Sequence, residues 1–125
     1  MSLLVLLVFG TAAAPACRRG PSVAEDVRLD WMTLSLPEVQ ADTVGHITLG
    51  DAAGRPLRGA VLQVEALMAH PGMAPVAATV SESGDGVYRV RVRFTMAGDW
   101  ILMVTGALPD GRTLNRRIDV AHVKP

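Results

Sequence analysis

Residues 87–94 read VYRVRVRF. Tyr88, Val90, Val92 and Phe94 occupy one side of a two-residue period, and Arg89, Arg91 and Arg93 occupy the other. A helix would scatter these side chains around its circumference, whereas an extended strand sorts them onto two faces. The stretch is therefore a half-buried strand, apolar toward a core and charged toward water. An exposed row of arginines discourages stray edge pairing. It would also serve as an anion patch, a use for which the row is the only support.

Neighbouring runs obey the same rule. GAVLQVEALM (59–68) turns Leu62, Val64 and Ala66 inward and Gln63 and Glu65 outward, with Met68 on the core side at the end. TVGHITL (43–49) buries Ile47 and Leu49 and exposes His46. WILMVTG (100–106) is almost wholly apolar, which predicts a central strand covered on both faces. The last run, TLNRRIDVAHV, presents Leu114, Ile118 and Val120 as its apolar side. Turn signals at GDAAGRP, HPG, SGDG, MAGD and PDGR punctuate these runs, and no segment sustains a helical period. The expectation is an all-β protein, an antiparallel sandwich of six or seven strands. Trp31 and Trp100 are read as core anchors.

With 125 residues the chain has room for one modest core. Half its residues are hydrophobic and its formal net charge is zero, which excludes a disordered polyelectrolyte and gives no basis for nucleic-acid binding. The opening MSLLVLLVFGTAAAPAC holds an apolar run from Leu3 to Phe9, then small residues, then the single cysteine, Cys17. The run is far below the roughly 20 residues that a spanning helix needs. Residues 1–16 read as an export signal. The APAC stretch resembles a lipobox, in which cleavage leaves a lipid-bearing cysteine, although no Lys or Arg precedes the apolar run and Ala14-Pro15 departs from the usual residues. Residues 17–26 read as a tether, and 27–125 as the folded domain. The expected location is the bacterial cell envelope, with the membrane reached through lipid on Cys17. A lipidated Cys17 leaves no free thiol, so a metal site would draw on His, Met, Asp or Glu.

Catalytic signatures are missing: there is no G-x-S-x-G, no H-E-x-x-H, no phosphate loop ahead of a helix and no cysteine nucleophile. The chemistry on offer lies in LMAHPGMAPV (67–76), where Met68, His70 and Met73 fall within six positions. Thioethers are soft and select Cu(I), and imidazole accepts copper in either state. Met96, at a different turn, is a candidate fourth donor. Two readings stand side by side. Either these residues form a metal lip, or the methionines fill irregular gaps and His70 solvates a turn. His46 and His122 read as solvated surface groups.

A family resemblance joins these residues. Gly45, Asp51, Gly54, Pro56, Gly59, Ala60 and Val61 run into Met68, His70 and Met73, followed by Gly86 and Tyr88 and then Met96, Gly98 and Trp100. This pattern, spanning about 43 to 106, resembles the YtkA-like domain and the related FixH group. The resemblance implies an immunoglobulin-like β-sandwich in the bacterial envelope, some relatives being membrane-anchored and tied to copper supply for haem-copper oxidases. The chain departs from the FixH type in lacking a full transmembrane helix. Together these readings point to a non-catalytic copper carrier or holding domain that exchanges the ion with another envelope protein. The alternatives are a structural or partner-binding module and an accessory subunit of a transporter or oxidase.

Overall fold

The computed structural model describes residues 20, 22–70 and 72–125; the signal segment expected over 1–16, Cys17 and Pro71 lie outside these. Among the described residues every regular element is a strand: β1 (Arg28–Thr33), β2 (Asp42–Gly50), β3 (Val61–Met68), β4 (Val76–Ala77), β5 (Thr79–Gly84), β6 (Val87–Arg93), β7 (Gly98–Ala107) and β8 (Thr113–Val123). They form two antiparallel sheets, β1-β2-β6-β5 and β4-β3-β7-β8, which share one core. That order is the immunoglobulin-like sandwich.

The strand count exceeds the expected six or seven because of the segment from Val76 to Gly84. There β4 pairs with β3 through Glu65↔Ala77 and Ala66↔Val76, and the Ala78 N–H donates to Val64 O at 2.9 Å. The next residue, Thr79, already pairs with Arg91 in the other sheet. One extended segment thus leaves one sheet and joins the other.

The alternation read in the sequence places the core. Tyr88, Val90, Val92 and Phe94 of the β6 run are buried, as are Ile47, Leu49, Leu62, Val64 and Ala66. Burying a large apolar side chain contributes about 1.5–3 kcal/mol. Phe94 and Trp100 meet with ring centroids 5.3 Å apart at a tilted angle, joining the β6 side to the β7 side. Trp31 packs against the same cluster from the edge strand β1. The arginines of β6 face water, and Arg93 pairs with Asp42.

One expectation is corrected, and two further features emerge. Strand β7 is central, but only its Trp100, Leu102 and Val104 side is buried, while Ile101 and Met103 are half-exposed on the outer face. In β8 the alternation breaks after Val120. Gly98 pairs with Val123 while Trp100 pairs with Val120, so Ala121 and His122 together oppose Asp99 in a bulge. Val123 therefore enters the core in place of His122. Finally, the residues read as the far end of the tether dock on the sandwich. Thr113 N–H donates to Ser22 O at 2.9 Å, Ala24 N–H donates to Thr113 O at 2.8 Å, and Ala24 is fully buried. Arg116 fastens the same stretch by donating to Ala24 O at 2.7 Å and Val27 O at 3.2 Å.

The registers define two ends. Arg28 beside Gly50, Val61 beside Ala107 and Thr48 beside Val87 lie at the first, with Ser22–Val27, the 51–60 linker and the turn at 108–112. Thr33 beside Gly45, Asp42 beside Arg93, Met68 beside Trp100 and Gly98 beside Val123 lie at the second. The β1–β2 connection, the 69–75 loop and the β6–β7 turn are at this second end.

Candidate functional site

Met68 closes β3, and antiparallel pairing sets it against Trp100, just inside the β6–β7 turn. Its side chain is half-buried against the core, and its methyl carbon takes the place beside Gly98 where a Cβ would come within 3.1 Å. Gly98 also has φ of 122°, a backbone conformation that L side chains rarely adopt. The turn carrying Met96 is fixed from within, because Trp100 Nε1 donates to Met96 O at 2.9 Å. The structure therefore brings Met68 and the Met96 turn, 28 positions apart in the chain, to one end of one sheet.

The other two candidates stand in the loop. His70 is exposed, and Met73 retains 36% of its surface, against 47% for Met96. Two thioethers and one imidazole thus face solvent while the third thioether lies at the core's rim. Among the described residues no three His, Cys, Asp or Glu side chains are grouped to hold a metal. A donor set here consequently needs sulfur, and thioether with imidazole suits a soft ion such as Cu(I) rather than calcium or magnesium.

Beside the loop, on the outer face of the sheet, lies a cleft of about 300 Å³ lined by Ala69, Asp99, Ile101, Arg117, Asp119 and Ala121 among others. Asp99 accepts the backbone N–H of His122 at 3.0 Å, and its carboxylate lies 3.9 Å from His122 Nδ1. This corner was illegible in the sequence because the β8 bulge creates it. Exposed apolar side chains also gather toward the second end, namely Met32, Leu34 and Leu36 along with Met73 and Met96. His46 is elsewhere, half-buried on the outer face of the other sheet between Met32 and Arg89.

Asp51, Gly54, Pro56, Gly59 and Gly86 of the sequence pattern serve the opposite end, whereas Gly45 and Gly98 lie at the methionine end. Asp51 accepts the N–H groups of Ala53 and Arg55 and the Nε of Arg55, at 2.9, 2.9 and 2.7 Å. The Arg55 backbone bond, with the guanidinium beside it, holds this carboxyl below the usual range. The Tyr88 hydroxyl donates to Leu57 O at 2.8 Å and accepts from Ala60 N–H at 3.0 Å, and burial pushes it up. Arg58 and Asp85 pair at 2.6 Å, and Gly59 N–H donates to the Glu82 carboxylate. The bonds from Tyr88, Asp85 and Glu82 bind the 51–60 linker to the β5–β6 hairpin.

The YtkA-like family profile matches residues 23–105. Its start at Val23 agrees with the docking of the Ser22–Val27 stretch. Among curated proteins no sequence match was found. Two solved structures share the fold. The Lin-41 filamin domain is 20% identical with a TM-score of 0.53, covering 81% of this chain and 96% of its own. A DUF4426 family protein from Pseudomonas aeruginosa PAO1 is 7% identical with a TM-score of 0.59, covering 82% of this chain and 96% of its own. At these identities the likeness speaks for the sandwich alone.

Proposed function

The chain belongs to the YtkA-like family, and from that footing we propose that it is an exported, non-catalytic envelope domain that holds copper transiently at its second end. Lipid on Cys17 would keep it at the membrane. Met68, His70 and Met73 are the proposed ligands, with Met96 as a fourth. The observation that carries this reading is the pairing that brings Met68 and the Met96 turn together beside a loop offering His70 and Met73 to water. The protein's own contribution is positional. Gly98 and the Trp100–Met96 bond fix one side, and the 69–75 loop, whose described residues lie in no strand, supplies the other two donors. Exposed thioethers leave a bound ion within reach of the ligands of another envelope protein.

A second reading is favoured by Leu34, Leu36 and Met32, exposed near the same end. There the end is a docking surface for a protein partner, such as a transporter or oxidase complex, and the methionines are apolar contacts.

The test is a Cu(I) competition titration on the chain from Arg18 onward, which retains every described strand and core residue. A variant with Met68, His70 and Met73 replaced by alanine runs beside it. One tight equivalent, lost in the variant, supports the holding role. Equal background binding in both directs attention to the partner reading.

A further inference from the structure

The arginine row of β6 does not have the edge-guarding role that its pattern suggests. Charged side chains keep a sheet from stray pairing when they stand on an edge strand, but β6 lies inside its sheet, between β2 and β5. Pairing fixes what surrounds the row on the outer face. His46 of β2 and Ser81 of β5 flank Arg89, and Val44 and Thr79 flank Arg91. Arg93 has its carboxylate in Asp42. Arg89 and Arg91 are exposed, and among the described residues neither forms an ion pair. Two guanidinium groups about 7 Å apart along one strand repel each other, and an anionic surface lying over both relieves that repulsion. The outer face of the other sheet is built differently, for Arg117 there pairs with Asp119 at 3.0 Å and Glu65 stands across Met103 from it.

One border of the arginine face is apolar. Met32 of β1 pairs with His46, and Leu34, whose N–H donates to Val44 O at 2.8 Å, continues the same parity. Met32 is 62% exposed and Leu34 55%. Arginines beside exposed apolar side chains on one sheet face match an anionic bilayer. Guanidinium groups take lipid phosphates in paired hydrogen bonds, and the apolar border enters the boundary beneath the headgroups. A small free anion would use the arginines and leave Met32 and Leu34 in water. The chain also reaches the sandwich on this side. Ser22, fastened to Thr113, is five positions from Cys17, at most about 18 Å of extended chain, and the Ser22–Val27 stretch leads directly into β1.

We infer that the outer face of β1, β2, β6 and β5 is a docking surface for an anionic lipid bilayer, with Arg89 and Arg91 as phosphate contacts and Met32 and Leu34 as the apolar border. The inference rests on the envelope location in the proposed function and is independent of copper. It assigns Met32 and Leu34 to lipid rather than to a protein partner. Docked in this way the sandwich lies on its side, and contact through so few side chains is reversible.

The test is co-sedimentation of the chain from Arg18 onward with vesicles of phosphatidylglycerol or of phosphatidylcholine, at low and at high salt. The expected result is recovery with the anionic vesicles at low salt, release at high salt and no recovery with the zwitterionic ones. Replacing Arg89 and Arg91 together by glutamine should weaken binding about tenfold or more. Both side chains stand in water, so the circular dichroism spectrum should stay that of the parent. Arg58→Gln with Arg117→Gln removes the same charge elsewhere and should bind like the parent. Met32→Ser with Leu34→Ser should weaken the binding that persists at intermediate salt. Failure of the parent to bind anionic vesicles, or equal binding by the parent and the Arg89 and Arg91 variant, overturns the inference. Equal weakening by the two arginine pairs also overturns it, because net charge alone would then be responsible. Retention on immobilised polyglutamate without vesicle binding overturns it in favour of an acidic protein partner. The Cu(I) titration is independent of every one of these outcomes, so the holding role stands or falls separately.

Discussion

The indole of Trp31 lies across Gly45, in the space that a side chain at position 45 would need. Trp31 pairs directly with Ile47 on the core side of the sheet, and the missing side chain two residues away lets the ring lie flat over β2. A Cβ at position 45 would meet three ring carbons of Trp31. Gly45→Ala should therefore cost about 1–3 kcal/mol through overpacking, read as a lower urea midpoint with a red shift of tryptophan emission. Adding Trp31→Leu should recover part of the loss, because the two sites share one contact. An unchanged midpoint for Gly45→Ala would show that the ring rests elsewhere.

Tyr88→Phe isolates the hydroxyl that joins Leu57 O to Ala60 N–H. Its loss should cost about 1–3 kcal/mol, since the buried Ala60 N–H is left without its acceptor. Burial raises the phenol above its ordinary value of 10.0. The folded state thus keeps the proton longer than the unfolded one. That stabilisation is complete below pH 10.0 and is lost as pH rises through the raised value. The stability profile of the parent should fall at alkaline pH, and that of Tyr88→Phe should stay flatter; parallel profiles would refute the assignment.

At the acid side the sign reverses. Asp51 is held below its ordinary 3.8, first by the Arg55 backbone N–H. Its contribution is present above 3.8 and disappears as pH falls through the lowered value. Asp51→Asn should be less stable than the parent at neutral pH and lose less on acidification. Equal acid limbs for the two proteins would count against the role given to the 51–55 turn.

Met68 has both a packing role and a proposed ligand role, and one substitution separates them. Met68→Leu keeps the volume beside Gly98 and removes sulfur, so its stability should stay within about 1.5 kcal/mol of the parent. Its affinity for Cu(I) should fall, while Met73→Ala should lower affinity with almost no change in thermal midpoint. Unchanged affinity in both variants would mark the methionines as packing and contact residues.

The strand faces were readable because a two-residue period leaves little choice once one face is buried. Tyr88 to Phe94 and Leu62 to Ala66 lie as their alternation requires. Legibility failed where the period breaks. Val76–Ala77 is too short to alternate, and it belongs to a different sheet from Thr79 two residues later. His122 lies in water as read, although it shares the parity of Leu114 and Val120, but the bulge that puts it there also sends Val123 inward, which was not legible. A bulge depends on what lies across the ladder, here Gly98 and Asp99, which no local pattern in β8 contains. The same limit governed the candidate site. The Met68-x-His70-x-x-Met73 spacing was visible along the chain, whereas the neighbourhood of Met68 with Gly98 and of Ala69 with Ala121 exists only through strand pairing.

Ser22–Val27 are fastened at one end of the sandwich and the soft donors stand at the other. Strands β3 and β7, with eight and ten residues, separate the two by roughly 30 Å at about 3.3 Å per residue. Any tether acting through the N-terminus therefore holds the domain by its foot. On such a tether the rigid sandwich would behave as a radius arm, and pivoting at its foot would sweep His70, Met73 and Met96 over a shell at arm's length. Encounters there would be with molecules diffusing past, at a local concentration set by the arm and its pivot.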